Sequence, residues 1–300
     1  MATHFEAVGF PARDEASAQD VLSKAFDSAE TVDHSDGRTA VYRDASGSTL
    51  TIHVDRRGRF ECCQPGFEGR FRARWRPLGI VRDPDCRFCD LVYAELLDDD
   101  EDEMIYPFAL TVETLGTDRA LIPYGEPGDV RFVGLWEEGE VWPDEAAFTA
   151  AQEAEWSDVP APPELDVPTL RGFASRSLIP SGTFADEGRP MTSHVLAHGI
   201  VSSVEEHRNE LGGAPFTVVR FDTLGGVFDT CLAPGTAERE ELLAPGAVAR
   251  ATLWLVGRPL TLRDEAGAVP VLAEDEETER PGLLRRLFGG SARRAPASSD

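Results

Sequence analysis

Alternation with a period of two limits this chain more than any other feature. Between Ser48 and Val54, the side chains Thr49, Thr51 and His53 interleave with Leu50, Ile52 and Val54, a pattern that separates two faces only on a β-strand. Extended runs also cover Thr39 to Arg43, before the turn Asp44 to Gly47, and Phe67 to Trp75, Phe88 to Leu97 and Ile105 to Thr114. The last two flank the acidic run Asp98 to Glu103. The opening reads as a strand from His4 to Phe10. A helix follows that Asp14 can cap, with Ala18, Val21, Leu22 and Ala25 on its apolar face. The first half is therefore predicted as strand, helix, then mostly strands, closing on a helix over Pro143 to Glu155.

Pro160, Pro162, Pro163 and Pro168 break any regular element. At 300 residues the chain exceeds one ordinary core, so the proline-rich stretch marks a domain boundary. Beyond it, strands are predicted at Val195 to Val204, Phe216 to Thr223, Gly226 to Leu232, Ala247 to Val256 and Val269 to Leu272, with a helical turn around Ala237 to Leu243. Short strands with one helical insert predict a small barrel. The last stretch, Glu274 to Asp300, is acidic and then rich in small and charged residues, a composition that builds no core.

Fifty-four acidic residues against 29 basic ones give a formal charge of -25, which repels nucleic acid and anionic membranes at long range. Lys24 is the only lysine, the codon signature of a GC-rich genome. No apolar run approaches the length of a bilayer, and the N-terminus lacks a basic segment leading into an apolar one. The expectation is a cytoplasmic protein. Cys62, Cys63, Cys86, Cys89 and Cys231 make an odd set in a long chain, so reduced thiols are expected rather than a disulfide framework.

The stretch His4 to Asp14, the helix after it, Gly47 leading into Leu50 to Val54, and the closing strand Pro107 to Thr114 resemble one βαβββ module of the vicinal-oxygen-chelate, or glyoxalase-like, superfamily. The resemblance covers about the first third and implies metal ligands at His4 and Glu113. In the second half, Gly199, the run Phe216 to Thr223 through Gly225 and Gly226 into Val227 to Cys231, and the strand ending Trp254 to Gly257 resemble an OB-fold barrel. Together the halves resemble a bacterial protein family, and that likeness implies no activity. The expected fold class is α+β. A mainly antiparallel β domain with a βαβββ-like start spans 1–156, a Pro-rich linker 157–169, an OB-like β-barrel 170–273 and a disordered tail 274–300.

Four groups of residues carry chemistry. Arg70, Arg72, Arg74 and Arg76 would project from one face of a strand, with Phe71, Ala73 and Trp75 on the other. Such a row of guanidiniums suits a small anionic ligand, whereas neighbouring acids such as Glu61, Glu68 or Glu95 would turn it into cross-strand ion pairs. Cys86 and Cys89, spaced by two residues, could join Cys62 and Cys63 in a zinc site, but adjacent strand residues face opposite ways. A redox pair at Cys86 and Cys89 lacks its usual helical setting. His194 and His198 share a strand face about 13 Å apart, too far for one ion, and are expected to be isolated polar positions. Leu283 to Phe288, with Arg285 and Arg286 inside the run, could dock on a partner or a membrane surface as one amphipathic turn.

Since no complete catalytic set is visible, the expected function is a binding or interaction protein with an anion-binding arginine face, needing no cofactor and taking a protein or small anion as partner. The alternative is a metal-dependent, glyoxalase-like enzyme using His4 and Glu113. Stacking of single-stranded nucleic acid on Phe216, Phe221, Phe228 and Trp254 beside Arg220 is disfavoured: residues 190–272 hold six arginines against ten acids, a charge of -4.

Overall fold

The computed structural model describes residues 3–11, 14–81, 91–98, 102–118, 122–157, 172–181, 191–260 and 271–272. Residues 158–169 of the expected linker, Cys86, Cys89 and the segment Leu283 to Phe288 lie outside them. The protein is α+β and rich in strands, built as a small antiparallel sheet against a large mixed one.

The chain opens with a helix where a strand was expected. α1 (His4–Ala7) forms because Thr3 and Glu6 make a reciprocal capping box, and it ends at Val8 before Gly9 takes a φ of 77°. Local capping thus overrides the extended look of Val8 to Phe10. α2 (Glu15–Ser28) is capped by Asp14, whose side chain accepts from the Ser17 N–H. An antiparallel meander follows: β1 (Glu30–His34), β2 (Gly37–Arg43), β3 (Ser48–Asp55) and β4 (Phe60–Phe67). The start is therefore two helices and a meander, and the strand that should precede the helix in a βαβββ unit is absent among the described residues.

The large sheet takes strands from both halves of the chain. Its members are β5 (Ala73–Val81), β6 (Leu91–Leu97), β7 (Met104–Val112), β8 (Gly128–Trp142), β9 (Ser177–Pro180), β10 (His194–Arg208), β11 (Pro215–Thr223), β12 (Gly226–Leu232), β13 (Ala237–Glu238), β14 (Val248–Pro259) and β15 (Val271–Leu272). α3 (Leu115–Asp118) follows β7, and α4 (Glu145–Glu155) follows β8. β8 and β14 pair antiparallel from Val130 against Pro259 to Trp142 against Val248. One half of this ribbon closes a circuit through β12, β11 and β10, the other through β5, β6 and β7. The expected boundary therefore does not separate two sheets, since β8 lies before it in sequence and walls the circuit built after it.

One continuous core fills both circuits, running from Trp75, Leu96 and Phe108 through Val130 and Trp136 to Phe221, Phe228 and Leu253. A second core lies outside the ribbon. There Ala7, Val8 and Phe10 of the N-terminal segment, Val21 and Ala25 of α2, and Leu50 and Ile52 of β3 pack with Val133, Leu135, Phe216, Val218 and Cys231. Among the described residues no helix is long and apolar enough to cross a membrane.

Candidate metal centre

β8 is regular until Trp136 pairs with Leu253; the next pair is Glu138 with Thr252, leaving Glu137 as the extra residue of a bulge. Bulges re-aim side chains. Glu137 thereby stands on the outer face of the ribbon together with Glu138, both on the wall of a groove of about 700 Å³ that Glu6, Pro11, Pro215 and Pro234 also line. Across β14, Trp254 is paired with His194 of β10 and with Leu135 of β8, which brings the imidazole to the same face.

Three ligand atoms converge here. Glu137 Oε1 lies 3.0 Å from His4 Nε2 and 3.1 Å from His194 Nε2. Among the described residues this is the one group of three histidine, cysteine or acidic side chains with ligand atoms all within 4.8 Å of one another. Nitrogen and oxygen ligands 2.0–2.1 Å from a tetrahedral zinc ion sit roughly 3.3 Å apart, so the two spacings to Glu137 Oε1 are close to those of a loaded site. All three side chains are half-buried, 29–39% exposed, and remain open to an arriving ion.

Surrounding groups set the orientation of each ligand. Thr192 Oγ1 hydrogen-bonds His194 Nδ1 at 3.1 Å and is itself tied to Ser181 Oγ at 2.8 Å. With Nδ1 so engaged, Nε2 is the atom presented to Glu137. His4 stacks on the Trp254 indole at 4.3 Å between centroids. Trp254 Nε1 donates to Thr111 Oγ1, which also contacts Ser193 Oγ. Burial holds the His4 imidazole below its ordinary pKa, outweighing the opposite pull of Glu137, and neutral imidazole is the form that ligates metal.

Glu113 does not join His4. It is buried, with Thr49 Oγ1 donating to its Oε2 at 3.2 Å, and burial pushes its pKa from 4.5 up to about 7 against the pull of Arg258. His198, also buried, hydrogen-bonds Ser177 Oγ and stacks on Phe173, and burial lowers its pKa to about 4. His194 therefore has partners where an isolated position was expected, and His198 lies in a separate aromatic pocket.

The arginine row is not a free cationic face. β4 ends at Phe67 and β5 begins at Ala73, so only Arg74 and Arg76 belong to a strand. Arg70 is held in the connection by Asp229, whose Oδ2 accepts from the Arg70 N–H. Arg70 makes a two-pronged pair with Glu205, Arg72 stands 3.9 Å from Asp129, Arg74 pairs with Asp102 and Asp129, and Arg76 pairs with Glu95 at 2.6 Å. Cys62 and Cys63 are partly buried, opposite His53 and Ile52 respectively, and burial raises Cys63 to about 11. Phe216, Phe221 and Phe228 are core residues, and Arg220 pairs with Asp229.

Two of the three converging ligands are visible in the sequence as histidines. Glu137 is not, because β8 itself is hard to see: glycines at 128, 134 and 139 and consecutive acids at 137 and 138 disguise it. The signal that was there is Trp136 followed by two acids and Gly139, a polar break in an otherwise alternating run. Compared with protein-family models, with curated proteins and with solved structures, the chain matches none.

Proposed function

We propose that the protein binds a divalent first-row transition metal, of the zinc class, through His4 Nε2, Glu137 Oε1 and His194 Nε2, and presents it to a small molecule in the adjoining groove. The observation that carries this reading is the convergence of two imidazole nitrogens and one carboxylate oxygen, within 4.8 Å, from three remote parts of the chain. Imidazole with carboxylate suits zinc and its neighbours rather than magnesium or calcium. Three protein ligands leave a position open, the arrangement of catalytic rather than structural zinc. When bound, the metal would supply a Lewis acid at that position. The protein's own part is to aim the imidazoles through Thr192 and Trp254. The acidic groove wall, with Glu6 and Glu138 beside the site, raises the local concentration of cations.

This reading keeps His4 from the glyoxalase-like alternative and replaces Glu113 by Glu137 and His194. The OB-like character of the second half is part of the same proposal, supported by the closed circuit of β8, β12, β11, β10 and β14. An alternative needs no metal: two Nε2–H groups donating to one carboxylate form an ordinary hydrogen-bonded cluster. Equilibrium dialysis against Zn²⁺ at pH 7.5, read by elemental analysis, separates them. The metal reading expects one tightly held equivalent, lost or weakened about a hundredfold in Glu137→Ala and His194→Ala. Uptake that is absent, or unchanged by both substitutions, overturns it.

A further inference from the structure

We infer that metal at this site works as a clamp on the N-terminal segment, so that metal occupancy controls whether the apolar strip beneath α1 is covered. The inference rests on the metal-site reading above and adds a consequence to it. Two of the ligands are fixed by the sheet: Glu137 on β8 and His194 on β10 both belong to strands hydrogen-bonded to β14. The third arrives on a separate piece of chain. α1 has only four residues, and a single turn does not hold itself together in water, so its place on the barrel comes from contacts alone.

Several of those contacts are identifiable. Ala7, Val8 and Phe10 are fully buried against the strip formed by Val133, Leu135, Phe216, Val218 and Cys231. The Val8 carbonyl accepts from Ser48 Oγ at 2.7 Å. At the leading end of α1, His4 reaches Glu137 and stacks on Trp254. Without an ion, the His4 side chain is held by its hydrogen bond to Glu137 and by the ring contact with Trp254. With an ion, the docked segment completes a three-ligand site, whereas the lifted segment leaves only Glu137 and His194. A ligand shifts a conformational equilibrium by its difference in affinity for the two states, and here that difference is one imidazole. Lifting would expose an apolar strip together with the Cys231 thiol, which is fully buried when the segment is down.

The test is hydrogen–deuterium exchange of the full chain, with saturating Zn²⁺ and after EDTA, alongside equilibrium dialysis of Zn²⁺ on the same sample. Amides of residues 3–10 are expected to exchange about tenfold or more slowly with zinc. Alkylation of Cys231, read by mass spectrometry, is expected to fall in parallel. His4→Ala should keep weaker zinc uptake and lose both effects, with unchanged exchange over β10 to β12 reporting that it is folded. One equivalent of zinc with unchanged exchange at 3–10 overturns the clamp and leaves the metal site standing. Failure of zinc to bind overturns both.

Discussion

Two regions of this molecule combine histidine with a carboxylate, and they are built for opposite ends. At the bulge of β8, His4 and His194 point their Nε2 atoms at one oxygen of Glu137, with all three side chains about a third exposed. Beneath the small sheet, His53, Thr49, Thr51 and Gln64 of β3 and β4 are buried, and the Glu113 side chain reaches Thr49 from the end of β7. His53 Nδ1 is engaged by Thr39 Oγ1 at 2.9 Å, and burial lowers its pKa to about 4. Residue type does not distinguish the two places. Exposure does: an open cluster can exchange its shared protons for an ion, whereas a buried one converts desolvation into a dependence of stability on pH.

The largest expected effect sharpens the buried side of this contrast. Glu113 titrates near 7 in the folded chain and near 4.5 when unfolded, so between these values the folded chain holds a proton that the unfolded chain has released. Stability then falls as pH rises through that window, by ~3 kcal/mol in all. His53 and His198, both lowered to about 4, act in the opposite sense, since the unfolded chain binds their protons first and stability rises with pH between about 4 and 6.5. Glu113→Gln removes only the first slope. Urea unfolding of parent and variant should show their difference growing by ~3 kcal/mol in the variant's favour from pH 4.5 to above 7; a constant difference breaks the contrast.

The close packing of that layer gives the next effect. A Cβ on Gly66 would collide with Glu113 Oε1 and meet Thr49 Oγ1 at 2.7 Å. Gly66→Ala is therefore expected to lose about 2 kcal/mol, in the usual range for overpacking, with Zn²⁺ uptake unchanged, as chemical unfolding and dialysis would show. Loss of zinc together with stability would mean that the regions are coupled rather than separate.

At the open cluster the expected effects fall on affinity. Thr192→Val removes the partner of His194 Nδ1 and should weaken Zn²⁺ binding about tenfold, the ordinary cost of losing such a support, with little change in unfolding. An unaltered zinc isotherm would show that the imidazole is aimed by other means. The smallest effect belongs to the arginine row. Arg72 is 67% exposed and 3.9 Å from Asp129, so Arg72→Ala should change stability by no more than about 0.5 kcal/mol. A larger loss measured by urea unfolding would restore a structural importance that the pairing distances do not support.

Legibility followed the local signals. β2, β3, β11, β12 and β14 were read closely because their apolar residues alternate and glycine or acidic turns bound them. α2 is legible from the capping residue Asp14 followed by apolar spacing, and α4 from the helical run over Pro143 to Glu155. β8 escaped because its bulge shifts the alternation at Glu137, and with it went the strand that joins the two halves. α1 escaped because four residues carry too little period to outweigh the extended pattern of Val8 to Phe10. The arginine row does not share one strand face for a related reason: a regular spacing in sequence guarantees a shared face only within one strand, and the strand starts at Ala73.

What the chain's residues determine by themselves is therefore the β-rich class, most strand positions and the excess of acidic residues. Those depend on interactions within a few residues, where periodicity, capping and turn preference act directly. Which histidine meets which acid was decided only when β8 and β14 paired and closed the sheet, because residues 4, 137 and 194 become neighbours through that pairing and through the packing of α1. Likewise, whether an arginine is free or neutralised depends on acids that are remote in sequence and adjacent in space. A one-dimensional pattern carries no record of those distances.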